Sequence, residues 1–336
     1  MTLTVACLGA GYFARFHHEA WERIDGVAPI AVVDRDLPRA AEVGWPAFPT
    51  LEEAFARGVP DILDIATPPE THLAAIRAGL AAGVRLIICQ KPFCAGMEEA
   101  VAATESAEAA GIPLIVHENF RFQPWYRVMR AALEAGRLGE VHQLTFRLRT
   151  GDGQGPRAYL DRQPYFQQME RFLVHETGVH WIDTFRFLLG RPDWVMADLR
   201  RMNPVIAGED AGHVLFGFPG GVRALLDANR HLDHASDTPR RTFGEAELEG
   251  TEATITLRGD GGVRLRDHGS QAEDVLLPSR DWPGFAGDCV HALQAHVVAH
   301  LREGAPLENT ARDYLDVLRI EEAVYRAAET GCRQTL

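Results

Sequence analysis

The first third of the chain alternates between two hydrophobic periodicities, and that alternation limits the fold more than any other feature. Short continuous apolar runs at Thr4–Leu8, Ala28–Val33, Ile62–Ala66, Val84–Cys89 and Leu114–Val116 are separated by helix-periodic stretches at Ala14–Ile24, Leu51–Arg57, Thr71–Ala82 and Glu98–Ala110. Strands that are apolar throughout must be covered on both faces. With helices between them they predict a parallel, doubly wound α/β sheet. Gly83 and Gly111 fall just past two of the helical stretches, where a left-handed residue closes a helix.

The pattern changes after residue 122. A helical stretch at Tyr126–Ala135 stops at Gly136, and an alternating strand follows at Val141–Arg149 with Leu144, Phe146 and Leu148 on one face. Gly151–Pro156 reads as a loop and Glu176–Leu189 as a helix ended by Gly190. From Trp194 to Leu277 the chain reads as strands joined by turns, with hairpin signals at Phe218–Gly221 and Gly259–Gly262. Helices at Gly284–Arg302 and Thr310–Thr330 close it. Two domains are expected, 1–122 of α/β type and 123–336 of α+β type. A chain of 336 residues, 46% hydrophobic and 24% charged, can give each its own core.

The formal net charge of −13 argues against nucleic acid or an anionic membrane surface as the main partner. It leaves an anionic cofactor open, because backbone N–H groups at a helix N-terminus hold phosphate without a basic patch. The N-terminus enters an apolar strand directly, without signal-peptide features, and no apolar run reaches membrane-spanning length, so a cytoplasmic location is expected. The five cysteines are scattered and odd in number, which predicts reduced thiols. Cys89 and Cys94 flank Gln90–Phe93 at the spacing of neither a zinc knuckle nor a redox dithiol, so both read as packing residues and no metal site is expected.

Gly9-Ala10-Gly11-Tyr12-Phe13-Ala14 follows the first strand and opens the first helix. Gly9 permits a tight turn, Gly11 lets the backbone approach a pyrophosphate, and Ala14 allows close helix–strand packing. Asp34 ends the second strand 20 residues after Ala14, where a carboxylate would meet the adenosine ribose. Together they predict a Rossmann dinucleotide site. Asp34 favours NAD, and the adjacent Arg35 leaves NADP open. Thr67 and Pro68 (with His72 just beyond), Gln90 with Lys91, and Asn119 each follow a further apolar run. They belong to the carboxyl edge of the sheet, where such folds bind ligands. The expected cofactor contacts are therefore Gly9, Gly11, Tyr12, Phe13, Ala14, Asp34, Arg35, Thr67, Pro68, His72, Gln90 and Asn119. Lys91 is expected to point toward the nicotinamide and substrate.

Leu173–Asp183 contains His175, Glu176 and His180. The two histidines are five residues apart, about 140° on a helix, which is wrong for a zinc protease motif. Glu176 and His180 are four apart and would share a helical face. That pair suits a histidine acid/base with a carboxylate orienting it, or a packed helix carrying an i,i+4 ion pair.

The stretches GAGYFARFH, ATPPETH ending at His72, QKP at Gln90–Pro92 and ETGVHWIDTFRFLLG at Glu176–Gly190, with EEAVYRAAETG at Glu321–Gly331, together resemble the glucose–fructose oxidoreductase/inositol dehydrogenase/rhizopine catabolism (Gfo/Idh/MocA) family over essentially the whole chain. The resemblance implies a second domain with a largely antiparallel open sheet, and hydride transfer at a hydroxyl-bearing carbon of a sugar, polyol or related molecule. It places the family's lysine on Lys91, its catalytic histidine on His180 and the preceding acid on Glu176. Two departures stand out. The family usually has Glu-Lys-Pro where this chain has Gln90, and commonly Asp where it has Glu176. His117–Tyr126 is similar to the same stretch in family members acting on pentoses such as apiose.

On this reading His180 takes the hydroxyl proton, Lys91 stabilises developing alkoxide charge and Glu176 orients His180. Arg121, Tyr159, Gln163 and Tyr165 are expected to line the substrate pocket. Two alternatives stay open: NAD-assisted chemistry without net redox change, such as glycoside cleavage or epimerisation, and a cofactor-sensing regulator. The strand-rich stretch has one face without an evident helical cover, which predicts a homodimer or homotetramer through that sheet.

Overall fold

The computed structural model describes residues 2–336. The apolar runs of the first third become strands β1 (Leu3–Leu8), β2 (Val27–Val33), β3 (Ala47–Phe48), β4 (Ile62–Ile65), β5 (Leu86–Gln90) and β6 (Leu114–His117). Between them run α1 (Ala14–Glu22), α2 (Leu37–Ala41), α3 (Leu51–Arg57), α4 (His72–Ala82) and α5 (Met97–Ala110). The six strands form a parallel sheet in the order β3-β2-β1-β4-β5-β6. Val5, Cys7, Leu63, Ile65 and Ile87 are all fully buried, as a sheet covered on both sides requires. The sequence reading missed α2 and β3, which are too short to show a period. The signal for α2 was local: Asp36 accepts the Arg39 N–H as an N-cap, and Pro38 follows in the first turn.

The remaining elements are α6 (Pro124–Glu134), β7 (Val141–Leu148), α7 (Val179–Leu189), β8 (Trp194–Arg200), β9 (Ala211–Gly217), β10 (Arg223–Asn229), β11 (Gly244–Gly250), β12 (Ala253–Leu257), β13 (Val263–Asp267) and β14 (Asp274–Leu277). After them come α8 (Cys289–Glu303), α9 (Ala311–Thr330) and β15 (Gln334–Thr335). The nine strands from β7 onward make one sheet, in the order β14-β13-β12-β11-β7-β10-β9-β8-β15. Every neighbouring pair is antiparallel except β7 with β10. That pair can be parallel because a long crossover containing α7 separates its strands. Leu144, Phe146 and Leu148 face inward as expected. Trp181 and Phe185 of α7 pack on that face, their rings 4.5 Å from Phe146 and 5.5 Å from Phe216. On the opposite face Met196, Leu215 and Leu225 stand side by side in register.

Two helix starts differ from expectation. The chain from Leu173 to Gly178 is a π-helical turn, and α7 begins only at Val179. The helix read from Gly284 begins at Cys289, because Ala286 and Asp288 have positive φ (46° and 64°) that an α-helix cannot hold.

The domain cut expected after residue 122 also differs. One compact unit comprises the chain up to Asn119 together with Cys289–Asp316, the other Phe120–Asp288 together with Val317–Leu336. The C-terminal segment joins the first unit because α8 packs on α1, Arg302 donates to the Asp25 and Gly26 carbonyls, and the Val116 N–H donates to the Asn309 carbonyl. Such pairings between distant segments leave no periodic trace in sequence. Among the described residues no helix is long and apolar enough to cross a membrane.

In the second unit a buried cation organises the loop after β7. The Arg230 side chain is 3% exposed and bonds Asp152 at 3.1 Å, with its guanidinium over the rings of Tyr159 (5.0 Å) and Phe172 (4.8 Å). Arg162 bonds the same carboxylate at 3.0 Å. Burial works against the charge on Asp152, but Arg230 outweighs it and holds the carboxyl far below the usual range. The folded-state pKa is depressed, so this stability is present above the ordinary carboxylate pKa and lost as pH falls. Asp152→Asn should therefore cost about 3 kcal/mol near neutral pH by leaving Arg230 undercompensated. The loss should shrink toward acid, as read by urea denaturation across pH.

Candidate active site

The registers of the parallel sheet align the strand ends: Leu8 with Val33 and Ile65, Ile65 with Cys89, and Gln90 with His117. Gly9, Asp34, Ala66, Lys91 and Glu118 therefore all leave the sheet at its carboxyl edge. The two motif glycines have different reasons. Gly9 has φ +113°, and a Cβ on it would lie 2.5 Å from the Ala66 carbonyl oxygen, so the protein's own packing demands glycine. A Cβ on Gly11 would meet no protein atom within 4 Å, which is the open cradle that a closely approaching phosphate needs. No side chain caps the N-terminus of α1, and Ala14 is buried against the sheet. The residues present thus fit a dinucleotide.

Asp34 does more than terminate β2. Its carboxylate accepts the N–H of Ala10 at 2.8 Å and of Asp36 at 2.9 Å, tying the glycine turn to the end of the neighbouring strand. The guanidinium that reaches it belongs to Arg39, 3.7 Å away, which sequence reasoning passed over in favour of the exposed Arg35. Phe13 packs edge-on against His17 and His117, and Tyr12 against Phe16 with Arg15 over its ring.

Several of the expected cofactor contacts are buried, His72 and Asn119 among them. His72 is fully buried. Its Nε2 donates to the Thr67 carbonyl at 2.8 Å, and its Nδ1 accepts the Cys94 N–H at 3.3 Å. Burial keeps the ring neutral by lowering its pKa. His72 thus shapes the Thr67 turn from within the protein. Asn119 is 2% exposed and donates to Cys289 Sγ at 3.0 Å, an anchor between segments of the first unit.

Lys91 follows β5, half-buried, with a cis peptide bond to Pro92. Its N–H donates to Gln90 Oε1 at 2.7 Å. The sequence carried a stronger signal here than position alone. Of 34 lysines and arginines, Lys91 is the single lysine. Arginine fills every other Lys/Arg position, and a compact ammonium is chemically distinct from a planar fork.

The second unit holds the histidine. The His180 ring is buried and stacks flat on Phe120, centroids 3.8 Å apart and planes within 3°. Glu176 precedes it in the π-helical turn, so the face-sharing expected from α-helical spacing does not apply. Its carboxylate accepts the Thr177 hydroxyl and lies 3.6 Å from Arg230. Gln163 Nε2 donates to the Tyr165 hydroxyl at 3.0 Å. The Tyr165 ring is exposed, while burial of the hydroxyl end and the charge of Glu176 push its pKa up. Gln163, Tyr165 and Glu176 therefore gather together. Tyr159 and Arg121 do not belong with them. Tyr159 is 6% exposed, a core residue among Phe166 and Phe172 beneath Arg230. Arg121 is buried and clamps Asp183 through two bonds of 2.8 and 2.5 Å, fastening the segment before α6 to α7.

Comparison with known proteins completes the picture. Residues 3–118 match the model of an oxidoreductase family with an NAD-binding Rossmann fold, and residues 126–256 match the GFO/IDH/MocA C-terminal domain. The chain is 33% identical to a D-apiose dehydrogenase of Paraburkholderia graminis, over 97% of this chain and 88% of that one. It is 26% identical to an inositol 2-dehydrogenase of Rhizobium meliloti, over 97% of each. An oxidoreductase of Agrobacterium radiobacter, solved with NAD+, L-tartaric acid and magnesium, superposes with a TM-score of 0.90 at 30% identity, covering 100% of this chain and 98% of that one. With both of its domain models matched in order along one chain, this protein belongs to the Gfo/Idh/MocA family of NAD-binding oxidoreductases.

Proposed function

We propose that the protein is an NAD-dependent dehydrogenase acting at a secondary hydroxyl of a sugar or polyol, with a pentose as the leading candidate. The observation that carries this reading is the single lysine at the carboxyl end of β5 in an NAD-binding unit. The names of the apiose and inositol relatives support the substrate class. When bound, NAD supplies hydride acceptance at the nicotinamide ring. The chain supplies the rest. His180, its ring plane set by Phe120, takes the hydroxyl proton in oxidation and returns it in reduction. Lys91 donates a hydrogen bond to the reacting oxygen and stabilises charge as it develops there. Glu176, turned by Arg230, with Gln163 and Tyr165, offers acceptors and donors suited to further hydroxyl groups. Asp34 meets the adenosine ribose, with Arg39 beside it. A cofactor-sensing regulator needs neither Lys91 nor His180.

Three outcomes are expected. With aldoses and polyols supplied in turn, one should give steady NADH formation, and Lys91→Arg and His180→Ala should each lower that rate ~10²-fold or more while NADH affinity stays near wild type. Near-normal turnover in either variant would remove its assigned role, and bound cofactor returned unchanged after each turnover would favour non-redox chemistry. Asp34→Ser should weaken NAD binding more than NADP binding in calorimetry, with a strong wild-type preference for NADP contradicting the role given to Asp34. The row of Met196, which is exposed, with the half-buried Leu215 and Leu225 should be covered by a second copy of the chain. Sedimentation should then show a dimer or tetramer that Leu225→Arg dissociates, and a wild-type monomer at micromolar concentration would contradict this.

A further inference from the structure

Beneath Lys91 lies a buried polar layer that the proposed chemistry does not use. The Lys91 N–H can only donate, so the atom of Gln90 that meets it at 2.7 Å is the amide oxygen. The amide nitrogen must then point the other way, 3.0 Å from His17 Nε2 and 3.5 Å from His117 Nδ1. That NH2 group also only donates, so both ring nitrogens present lone pairs to it. His17 therefore carries one proton, on Nδ1, facing the Asp64 carboxylate at 2.9 Å. His17, His117 and Asp64 are all fully buried, and the two imidazoles stack with centroids 4.0 Å apart.

We propose that Gln90 is a positioning residue that fixes the His17 proton on Nδ1, facing Asp64, and seats the Lys91 backbone over that pair. The groups around His17 are Asp64 on β4, Cys7 on β1, Gln90 on β5, His117 on β6, Gln294 on α8, and His18 and Trp21 on its own helix. Burial keeps Cys7 a thiol and lowers the His18 pKa to about 4, so neither changes charge near neutrality. A carboxylate at position 90 could accept the Lys91 N–H but could not donate to His17. An ionised carboxylate would have to accept from His17 Nε2–H, and with Nδ1–H still facing an ionised Asp64 the ring would be an imidazolium. The amide makes both contacts with a neutral ring.

This inference rests on the role given to Lys91, but its test needs no turnover. Because Lys91 is the only lysine, 13C-lysine labelling yields one side-chain signal. 15N-histidine labelling, with His17 assigned from the resonance lost in His17→Phe, reports its protons. In wild type at neutral pH, with or without NAD, His17 should be protonated on Nδ1 alone. In Gln90→Glu both His17 nitrogens should carry protons, and the Lys91 signal should shift. Gln90→Met, of similar length but without the amide, should shift the Lys91 signal while His17 keeps a single proton. A wild-type His17 protonated on Nε2 or on both nitrogens would overturn the proposal, even if a variant failed to fold. So would a folded Gln90→Glu in which His17 keeps a single proton. Either result leaves the catalytic role of Lys91 to the kinetics of Lys91→Arg.

Discussion

The carboxylate of Asp64 is buried in the middle of a parallel sheet, and a charge in that position must be surrounded by donors or it would unfold the protein. His17 and Trp21 reach it from α1, and Gln294 reaches it from α8 at 3.4 Å. Burial opposes ionisation, while the hydrogen bonds from His17 and Trp21 favour it. Satisfying one charge thus orients the helix that follows the glycine turn and draws a helix from near the C-terminus into the first unit. It also sets His17 under Gln90, and through Gln90 the backbone of Lys91.

The carboxyl edge of the sheet shows how little of a ligand site needs to be charged. Gly9 is glycine because the Ala66 carbonyl is too close for a Cβ, while Gly11 is glycine where the protein itself asks for nothing. Asp34 braces the turn through Ala10, and His72 braces the next turn through Thr67 and Cys94. Such braces matter because a backbone cradle holds phosphate through N–H direction, and direction is lost if the loops shift. An acidic chain can bind an anionic cofactor on these terms.

In the second unit the same logic appears with the sign reversed. Arg230 is a buried cation, and Asp152, Glu176 and three aromatic rings converge on it. The π-helical turn that carries Glu176 departs from regular helix just before His180, whose ring is then held by stacking on Phe120. Arg121, which looks like a ligand-binding cation in sequence, is consumed by Asp183 in holding Phe120 near α7.

Much of the first unit was legible because its information is local: apolar runs give strands, glycines give turns, and alternation gives the parallel order of helices and strands. The lysine could have been singled out more firmly, since its uniqueness is a property of composition. The carboxylate at Asp64, set in Ile62-Leu63-Asp64-Ile65, was likewise a visible oddity in an apolar strand. Tyr159, Arg121, His72 and Asn119 are buried in internal contacts, which polarity and position in sequence do not reveal. Sequence alone determined the α/β frame, the dinucleotide turn and the two residues proposed for chemistry, Lys91 and His180. Only the tertiary structure decided which polar groups are braces, where Cys289–Asp316 belongs and which proton His17 carries. Those depend on contacts between segments far apart in the chain, and no period or motif records them.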